Sequence, residues 1–160
     1  MNIRSSSGYY IRFSIQSDQF GAKAYNLELS TYNSLQMKDL LLVFAGGGLG
    51  SIARFLVSKI YKNWQLGFPM ATLTANFLSC IVLGALIMLG VSKMNLSYSL
   101  KLLLITGFCG GFSTYSSFTF ETVELFKSGQ PMLGLANIIL NFVLSVSGLY
   151  LGFIAVKALG

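Results

Sequence analysis

The chain has 160 residues, of which 54% are hydrophobic and only 10% are charged, and its mean hydropathy is +0.67. Soluble domains carry about 25% charged residues, so the composition excludes an ordinary soluble domain and indicates an integral membrane protein. The net charge of +6 comes from basic residues that stand singly near the ends of apolar stretches, which membrane anchoring explains better than nucleic-acid binding. With no histidine and two isolated cysteines, Cys80 and Cys109, the sequence predicts neither a zinc-type centre nor a disulfide framework.

Residues 1–36 differ from the rest of the chain because they are rich in serine and tyrosine and contain no sustained apolar run. They are not a signal peptide, since no apolar core of about 7–15 residues follows the first positive charges. Met37 stands directly before the first apolar run and is a candidate natural start. We therefore expect residues 1–36 to be a disordered tail or a misassigned upstream start, and residues 37–160 to form one membrane domain.

The first apolar segment runs from about Leu40 to Tyr61 and opens with a glycine-rich surface at 45–51, where two helix backbones could meet closely. Arg54 lies towards the far end of this segment. Two interpretations stay open for it. The side chain either snorkels to the lipid headgroups or faces inward and supplies positive potential at the mouth of an anion path.

The second segment runs from about Phe68 to Val91 and carries Thr72, Asn76 and Ser79 on one helical face. A primary amide in the middle of a membrane is unfavourable unless it finds a partner. Asn76 is therefore either an interhelical hydrogen-bonding residue or an N–H donor aimed at a permeating anion.

The third segment, from about Leu100 to Phe120, contains the stretch Gly107–Phe118, with three glycines and four hydroxyl residues where a membrane helix would be aliphatic. Each glycine lowers helix stability by about 1 kcal/mol relative to alanine, so the stretch predicts a break in the helix. Backbone groups freed by a break must be buried in protein, line a wet path or hold an ion. Close helix packing explains one of these glycines alone, but the whole stretch favours function.

The fourth segment runs from about Met132 to Val156, and Asn137, Asn141 and Ser145 stand at i, i+4 and i+8. They form a polar track about 12 Å long on one face of the helix. Packing amides could give the same pattern, although a lined path is favoured.

Basic residues are divided almost evenly between the two sides of the membrane, so no positive-inside bias fixes the orientation.

Three stretches in order, 46–55, 69–76 and 107–118, resemble the Fluc (CrcB-type) fluoride channels, and the resemblance covers about residues 37–160. It implies an all-α integral membrane protein with four transmembrane helices, a broken third helix and an antiparallel, dual-topology dimer in the bacterial inner membrane. It also implies a fluoride-selective channel that exports cytoplasmic fluoride passively and lowers its toxicity, and that is not an enzyme.

The resemblance further implies roles for individual residues. Backbone carbonyls of Gly110 and Ser113 would hold a structural sodium ion that is not transported. The fluoride path would use one amide, two aromatic ring edges, a hydroxyl and the fourth-helix track: Asn76, Tyr115, Phe118, Ser116, Asn137, Asn141 and Ser145. Tyr115 stands where the family has phenylalanine, and the two asparagines stand in what the family has as a Tyr-Ser-Ser track.

Other functions were weighed against this one. A small four-helix multidrug-type transporter needs a membrane-embedded carboxylate, but no acidic residue lies inside segments one, two or four, and Glu121 stands at the end of the third. Tyr115 keeps open a non-conducting partner subunit of a heterodimeric fluoride channel. The expected partners are fluoride, the lipid membrane and a second subunit, either another copy or a paralogue, and no nucleic acid.

Overall fold

The computed structural model describes residues 36–62, 67–92 and 96–158, and every regular element within these ranges is helical. Three helices are long and apolar enough to cross a membrane: α1 (Met37–Tyr61), the part Met70–Gly90 of α2 (Met70–Ser92), and α6 (Pro131–Ala158). The membrane protein predicted from composition and the all-α class implied by the resemblance are confirmed at this level. The tail predicted at residues 1–36 lies outside the described residues except for its last residue, and its disorder stays a prediction.

Helix α1 packs by backbone rather than by side chains. Gly46 and Gly50 are buried, and a Cβ atom on either would overlap the carbonyl oxygens of Leu103 and Phe108, respectively. Gly48 faces open space. In the glycine-rich surface predicted for close helix contact, Gly46 and Gly50, four residues apart, make the backbone contacts. Apolar side chains of α1 such as Phe44, which is 79% exposed, point outward.

Helices α2 and α6 also approach each other through glycines. A Cβ atom on Gly84 would overlap the carbonyl of Leu149, and one on Gly152 would overlap that of Ile81. Such contacts fix both the separation and the rotation of the two helices, because no flexible side chain lies between the backbones. This pairing sets which face of α6 is presented to α2.

The third apolar segment is built from several helical pieces. It comprises α3 (Tyr98–Leu100), a π-helix (Lys101–Cys109), α4 (Gly110–Phe112) and, after an interruption, α5 (Tyr115–Lys127). Ser113 and Thr114 are extended, with ψ angles of 155° and 113°. We call these two residues the interruption.

The glycines of this segment do not form the interruption themselves. Gly107, Gly110 and Gly111 lie within helices, and Gly129 is the glycine with positive φ among the described residues. A Cβ atom on Gly107 would lie 2.9 Å from the Cα atom of Gly46, and one on Gly111 would overlap the carbonyl of Gly47. Two of the three glycines thus allow α1 to pack closely, and the expectation that glycine would supply the break is wrong in this detail.

The turn from α5 to α6 follows the breaker residues in the sequence. Gly129 has a φ of 74°, a conformation that a residue with a Cβ atom rarely adopts. Its N–H donates to Phe126 O at 3.2 Å, and the N–H of Gln130 donates to Leu125 O at 2.9 Å, which together cap the end of α5. Pro131 then begins α6, where a missing N–H has no consequence.

Candidate functional site

Asn76 closes the interruption by pairing with both backbone groups of one residue. The N–H of Thr114 donates to Asn76 Oδ1 at 2.8 Å, and Asn76 Nδ2 donates to the carbonyl of Thr114 at 3.5 Å. Thr114 is buried, so its backbone groups cannot be satisfied by water. A carboxamide is a neutral side chain that both donates and accepts, and it therefore replaces the helical partners that the extended backbone has lost.

Three hydroxyl groups surround the beginning of α5. Thr114 caps this helix, because its Oγ1 accepts from the N–H of Ser117 at 3.2 Å. The same Oγ1 lies 3.2 Å from Ser116 Oγ and 3.1 Å from Ser117 Oγ. Ser116 is exposed and Ser117 is partly buried, so the cluster connects the buried cap to the outside of the subunit.

A row of carboxamides links α2, α6 and α5. Asn76 Nδ2 donates to Asn141 Oδ1 at 3.0 Å, and Asn141 Nδ2 donates to Asn137 Oδ1 at 2.8 Å. Asn137 Nδ2 then donates to Thr122 Oγ1 at 2.8 Å, and the Thr122 hydroxyl donates to the carbonyl of Phe118 at 2.7 Å. We call the three asparagines the amide row. It joins two segments that the sequence analysis treated separately.

Two aromatic rings lie on the first turn of α5. The centroids of Tyr115 and Phe118 are 5.5 Å apart and their planes are inclined at 54°. Tyr115 is 80% exposed, whereas Phe118 is partly buried. Both rings lie near the positive end of the α5 dipole, and the Tyr115 ring is left uncovered by the rest of the described chain.

The end of α4 is held by three donors that converge on one carbonyl. The carbonyl of Cys109 accepts from the N–H of Ser113, from Ser113 Oγ and from Ser79 Oγ, each at 3.0 Å. Ser79 is 2% exposed and belongs to the same face of α2 as Asn76. Two residues of α2 therefore fix the interruption, one on each side.

A cavity of about 360 Å³ opens between α1, α2 and α5. It is lined by five hydroxyl residues, an apolar rim and two ionisable residues: Ser51, Ser58, Thr72, Thr114, Ser117, Phe55, Ala71, Arg54 and Glu121. Thr72 Oγ1 donates to Glu121 Oε1 at 2.7 Å, and the buried Glu121 Oε2 has no hydrogen-bond partner among the described residues. Arg54 is partly buried and lines this cavity together with Thr114 of the interruption.

Comparison with known proteins identifies the family. The model of the family described as "CrcB-like protein, Camphor Resistance (CrcB)" matches residues 41–153. The chain belongs to the CrcB-like family. A relative from Phocaeicola vulgatus is 40% identical over 117 residues, which are 72% of this chain and 96% of that protein. One from Pyrococcus abyssi is 36% identical over 123 residues, 77% of this chain and 99% of that protein. One from Chlorobium phaeobacteroides is 41% identical over 113 residues, 71% of this chain and 88% of that protein. Each of the three is named "Fluoride-specific ion channel FluC".

The region matched by the CrcB-like family contains every residue that the sequence analysis singled out as a site residue. The structure brings most of them together around the interruption. Asn76, Asn137 and Asn141 form the amide row, Ser116 joins the hydroxyl cluster, and Tyr115 pairs with Phe118. Ser145 lies one helical turn beyond Asn141, is partly buried and takes no part in the row.

Sequence reasoning missed three residues that the structure assigns to this CrcB-like site. Thr114 supplies the cap and the backbone partners of Asn76, Thr122 terminates the amide row, and Glu121 pairs with Thr72. Thr114 and Thr122 are ordinary hydroxyl residues with no distinctive spacing. For Glu121, the sequence signal that could have identified it is its position at the end of the third apolar segment.

Proposed function

We propose that this chain is a fluoride-selective ion channel, through which cytoplasmic fluoride leaves the cell passively and its toxicity is lowered. Membership of the CrcB-like family and three relatives named as fluoride-specific channels support the proposal. HF crosses membranes as a neutral molecule and ionises inside the cell, so a passive exit for the anion is sufficient. No chemical step and no coupled ion are needed.

The observation that carries the proposal is the pairing of Asn76 with the interruption, beside the exposed ring of Tyr115 and the partly buried ring of Phe118. A small anion that leaves water needs N–H and O–H donors in place of its hydration shell. Asn76 and Ser116 offer such donors, and the edges of Tyr115 and Phe118 are the positive ends of the ring quadrupoles. The site thus attracts an anion with no formal charge beside it. Asn137, Asn141 and Ser145 border the same path along α6, and Arg54 contributes positive potential at the cavity.

The proposed assembly has four membrane crossings, the third being the interrupted helix from α3 to α5, in an antiparallel dimer in the bacterial inner membrane. The near absence of a positive-inside bias supports insertion in both orientations. Exposed rings such as Tyr115, which a single subunit leaves uncovered, suit a site that a second subunit completes.

A structural sodium ion at the centre of this dimer is the further part of the proposal. The backbone carbonyls of Gly110 and Ser113 would hold it, since carbonyl oxygens are suitable ligands for a hard cation. The residues fit, because the N–H of Thr114, the helical donor to the Gly110 carbonyl, donates instead to Asn76, and Gly110 is exposed. The ion would supply positive charge that holds two interruptions together. Replacing Na⁺ by N-methylglucamine should then lower the thermal stability of the dimer, because an ion that binds the folded state stabilises it.

The test is fluoride efflux from liposomes that contain this chain alone, measured with a fluoride electrode and compared with chloride efflux. We expect rapid loss of fluoride and retention of chloride. Asn76→Asp should abolish the efflux, while Gly48→Ala, at an exposed position with open space around it, should leave it unchanged. Equal efflux of both anions would reject fluoride selectivity.

The same assay addresses a second candidate, a subunit that conducts only beside a paralogue. It is favoured by the exposed Tyr115, whose hydroxyl stands where the resemblance expects phenylalanine. Fluoride efflux that requires addition of a second CrcB-like chain would establish this function. Efflux from the single chain would exclude it.

A further inference from the structure

The direction of the amide row is set by backbone groups. A carboxamide has one accepting and one donating end, so a row of them could run either way. Backbone N–H and C=O groups have fixed polarity, however, and the backbone groups of three residues touch the row or the residue that terminates it. Each contact therefore determines which end of a side chain faces which neighbour.

The first contact orients Asn76. The N–H of Thr114 can only donate, so Asn76 Oδ1 must face it at 2.8 Å, and Asn76 Nδ2 must face Asn141. The second orients Asn141. The backbone carbonyl of Asn137 can only accept, and Asn141 Nδ2 donates to it at 3.1 Å as well as to Asn137 Oδ1 at 2.8 Å.

The third contact lies at the far end of the row. The Thr122 hydroxyl gives its proton to the carbonyl of Phe118, so the Thr122 oxygen is an acceptor and receives Asn137 Nδ2. Turning over one carboxamide would set oxygen against oxygen at the Asn137 carbonyl or N–H against N–H at Thr114. Such a mismatch between buried groups is strongly unfavourable, so the row keeps one direction.

This direction separates the roles of the three asparagines. Asn137 is completely buried and Asn141 is 6% exposed, and the N–H groups of each are directed along the row and away from Asn76. Asn76 is the member with greater exposure, and its contact with the Thr114 carbonyl, at 3.5 Å, is the longest in the row. An anion can therefore take an N–H of Asn76 more readily than one of Asn141 or Asn137.

We infer that Asn137 and Asn141 are positioning residues, which hold the Asn76 carboxamide in its orientation beside the proposed fluoride path and do not bind the anion themselves. The inference rests on the proposed fluoride path and deepens it. Asn141 presents an oxygen to Asn76 and holds one of its two N–H groups at 3.0 Å, whereas the other makes only the long 3.5 Å contact with the Thr114 carbonyl and is the one that an anion can take. The fourth-helix asparagines thus contribute orientation instead of ligands.

The test uses side-chain amide NMR of the full chain in liposomes with ¹⁵N-labelled asparagine, the Asn76 signal being identified by Asn76→Ser. Asn137→Leu removes both hydrogen-bonding ends of the buried side chain at similar volume. Ser145→Ala is the matched control, because it removes a polar group from the same helix face outside the row. Without fluoride, Asn137→Leu should shift the Asn76 amide signal and speed its hydrogen exchange about three- to tenfold, because Asn141, the partner of Asn76, loses its bond to Asn137 Oδ1 and is held less firmly. Ser145→Ala should change neither.

A second pair of variants keeps the inference testable if Asn137→Leu does not fold. Thr122→Val removes the terminal acceptor and should move the Asn76 signal in the same sense, whereas Thr122→Ser should restore it. If Asn137→Leu and Thr122→Val chains fold and their Asn76 signal stays unchanged, the inference is overturned, even if fluoride flux falls. A ¹⁵N–¹⁹F dipolar contact of bound fluoride with Asn141 Nδ2 as strong as with Asn76 Nδ2 would also overturn it.

The results that would reject this inference differ from those that would reject the proposed function. A wild-type chain that passes no fluoride, but whose Asn76 signal moves on Asn137→Leu and not on Ser145→Ala, would retain the positioning role and reject the channel. Flux in the wild type with an unmoved Asn76 signal would retain the channel and reject the positioning role.

Discussion

The side-chain oxygen of Asn76 accepts the backbone N–H of Thr114 at 2.8 Å, and the same carboxamide donates to Asn141 Oδ1 at 3.0 Å. One side chain therefore stabilises the interruption and connects it to α6. The two interpretations of Asn76 that the sequence left open, an interhelical bond and a donor to an anion, are thus compatible. Its oxygen and one N–H serve the fold, and the other N–H, which makes only the 3.5 Å contact with the Thr114 carbonyl, can be given to a ligand.

This double role predicts different results for two substitutions of Asn76. Aspartate keeps an oxygen for the Thr114 N–H, but it adds a negative charge and sets its second oxygen against Asn141 Oδ1, so Asn76→Asp should lose fluoride efflux and also be less stable than the wild type. Leucine loses the oxygen, leaving a buried N–H unpaired, so Asn76→Leu should lower the free energy of unfolding by about 1–3 kcal/mol. Thermal unfolding in detergent, together with efflux, checks both results. An Asn76→Leu chain as stable as the wild type would show that the Thr114 bond contributes little.

Much of this arrangement follows from helical spacing. The faces that carry Asn76 and the Asn137–Ser145 track were predicted from the positions of single residues, because residues three or four apart share a face. The contact between these faces could not be predicted, since it depends on the rotation of α6 against α2. That rotation is fixed where Gly148 lies against Phe77 and Gly152 against Ile81, and glycine spacing alone does not say which backbone will approach.

For the interruption, the sequence predicts that a break exists but not where it lies. Its existence was predicted from glycine and hydroxyl content, yet its position is set by Ser113 and Thr114, which have no helix-breaking propensity comparable to glycine. Both are stabilised by partners distant in the chain, Asn76 for one and Ser79 through Cys109 for the other. Intrinsic propensity cannot locate a break that tertiary contacts determine.

The aromatic pair predicts that the hydroxyl of Tyr115 is dispensable for attraction of the anion. Tyr115→Phe keeps the ring and its edge, so fluoride efflux should be at least as fast as in the wild type. Phe118→Ile removes a ring edge and should lower efflux about tenfold or more, the loss that about 1.4 kcal/mol of stabilisation produces. Tyr115→Ile is the matched control for loss of the other ring. Slower efflux in Tyr115→Phe would instead assign the hydroxyl a direct role in the path.

The bond between Thr72 and Glu121 predicts coupled stability effects. Thr72→Val removes the hydroxyl that donates to Glu121 Oε1. The other carboxylate oxygen, Oε2, is already buried without a partner in the described chain. The free energy of unfolding of the variant should therefore fall by about 1–3 kcal/mol. In a Glu121→Leu background the same substitution should have little effect, because no carboxylate remains to be satisfied. Thermal unfolding of the four proteins forms a double-mutant cycle. Additive effects would mean that the two side chains do not depend on each other.

The packing of α1 predicts that two glycines only two residues apart respond in opposite ways to alanine. A Cβ atom on Gly46 would overlap the backbone carbonyl of Leu103, and backbone cannot move aside as a flexible side chain does. Gly46→Ala should therefore lower the free energy of unfolding by about 1–3 kcal/mol, the usual effect of overpacking. At Gly48, where no atom lies within 4 Å, alanine should be neutral or stabilise the helix by up to about 1 kcal/mol. Thermal unfolding of the two variants in detergent compares them directly. A Gly46→Ala chain as stable as Gly48→Ala would mean that α1 does not pack closely against the π-helix at this point.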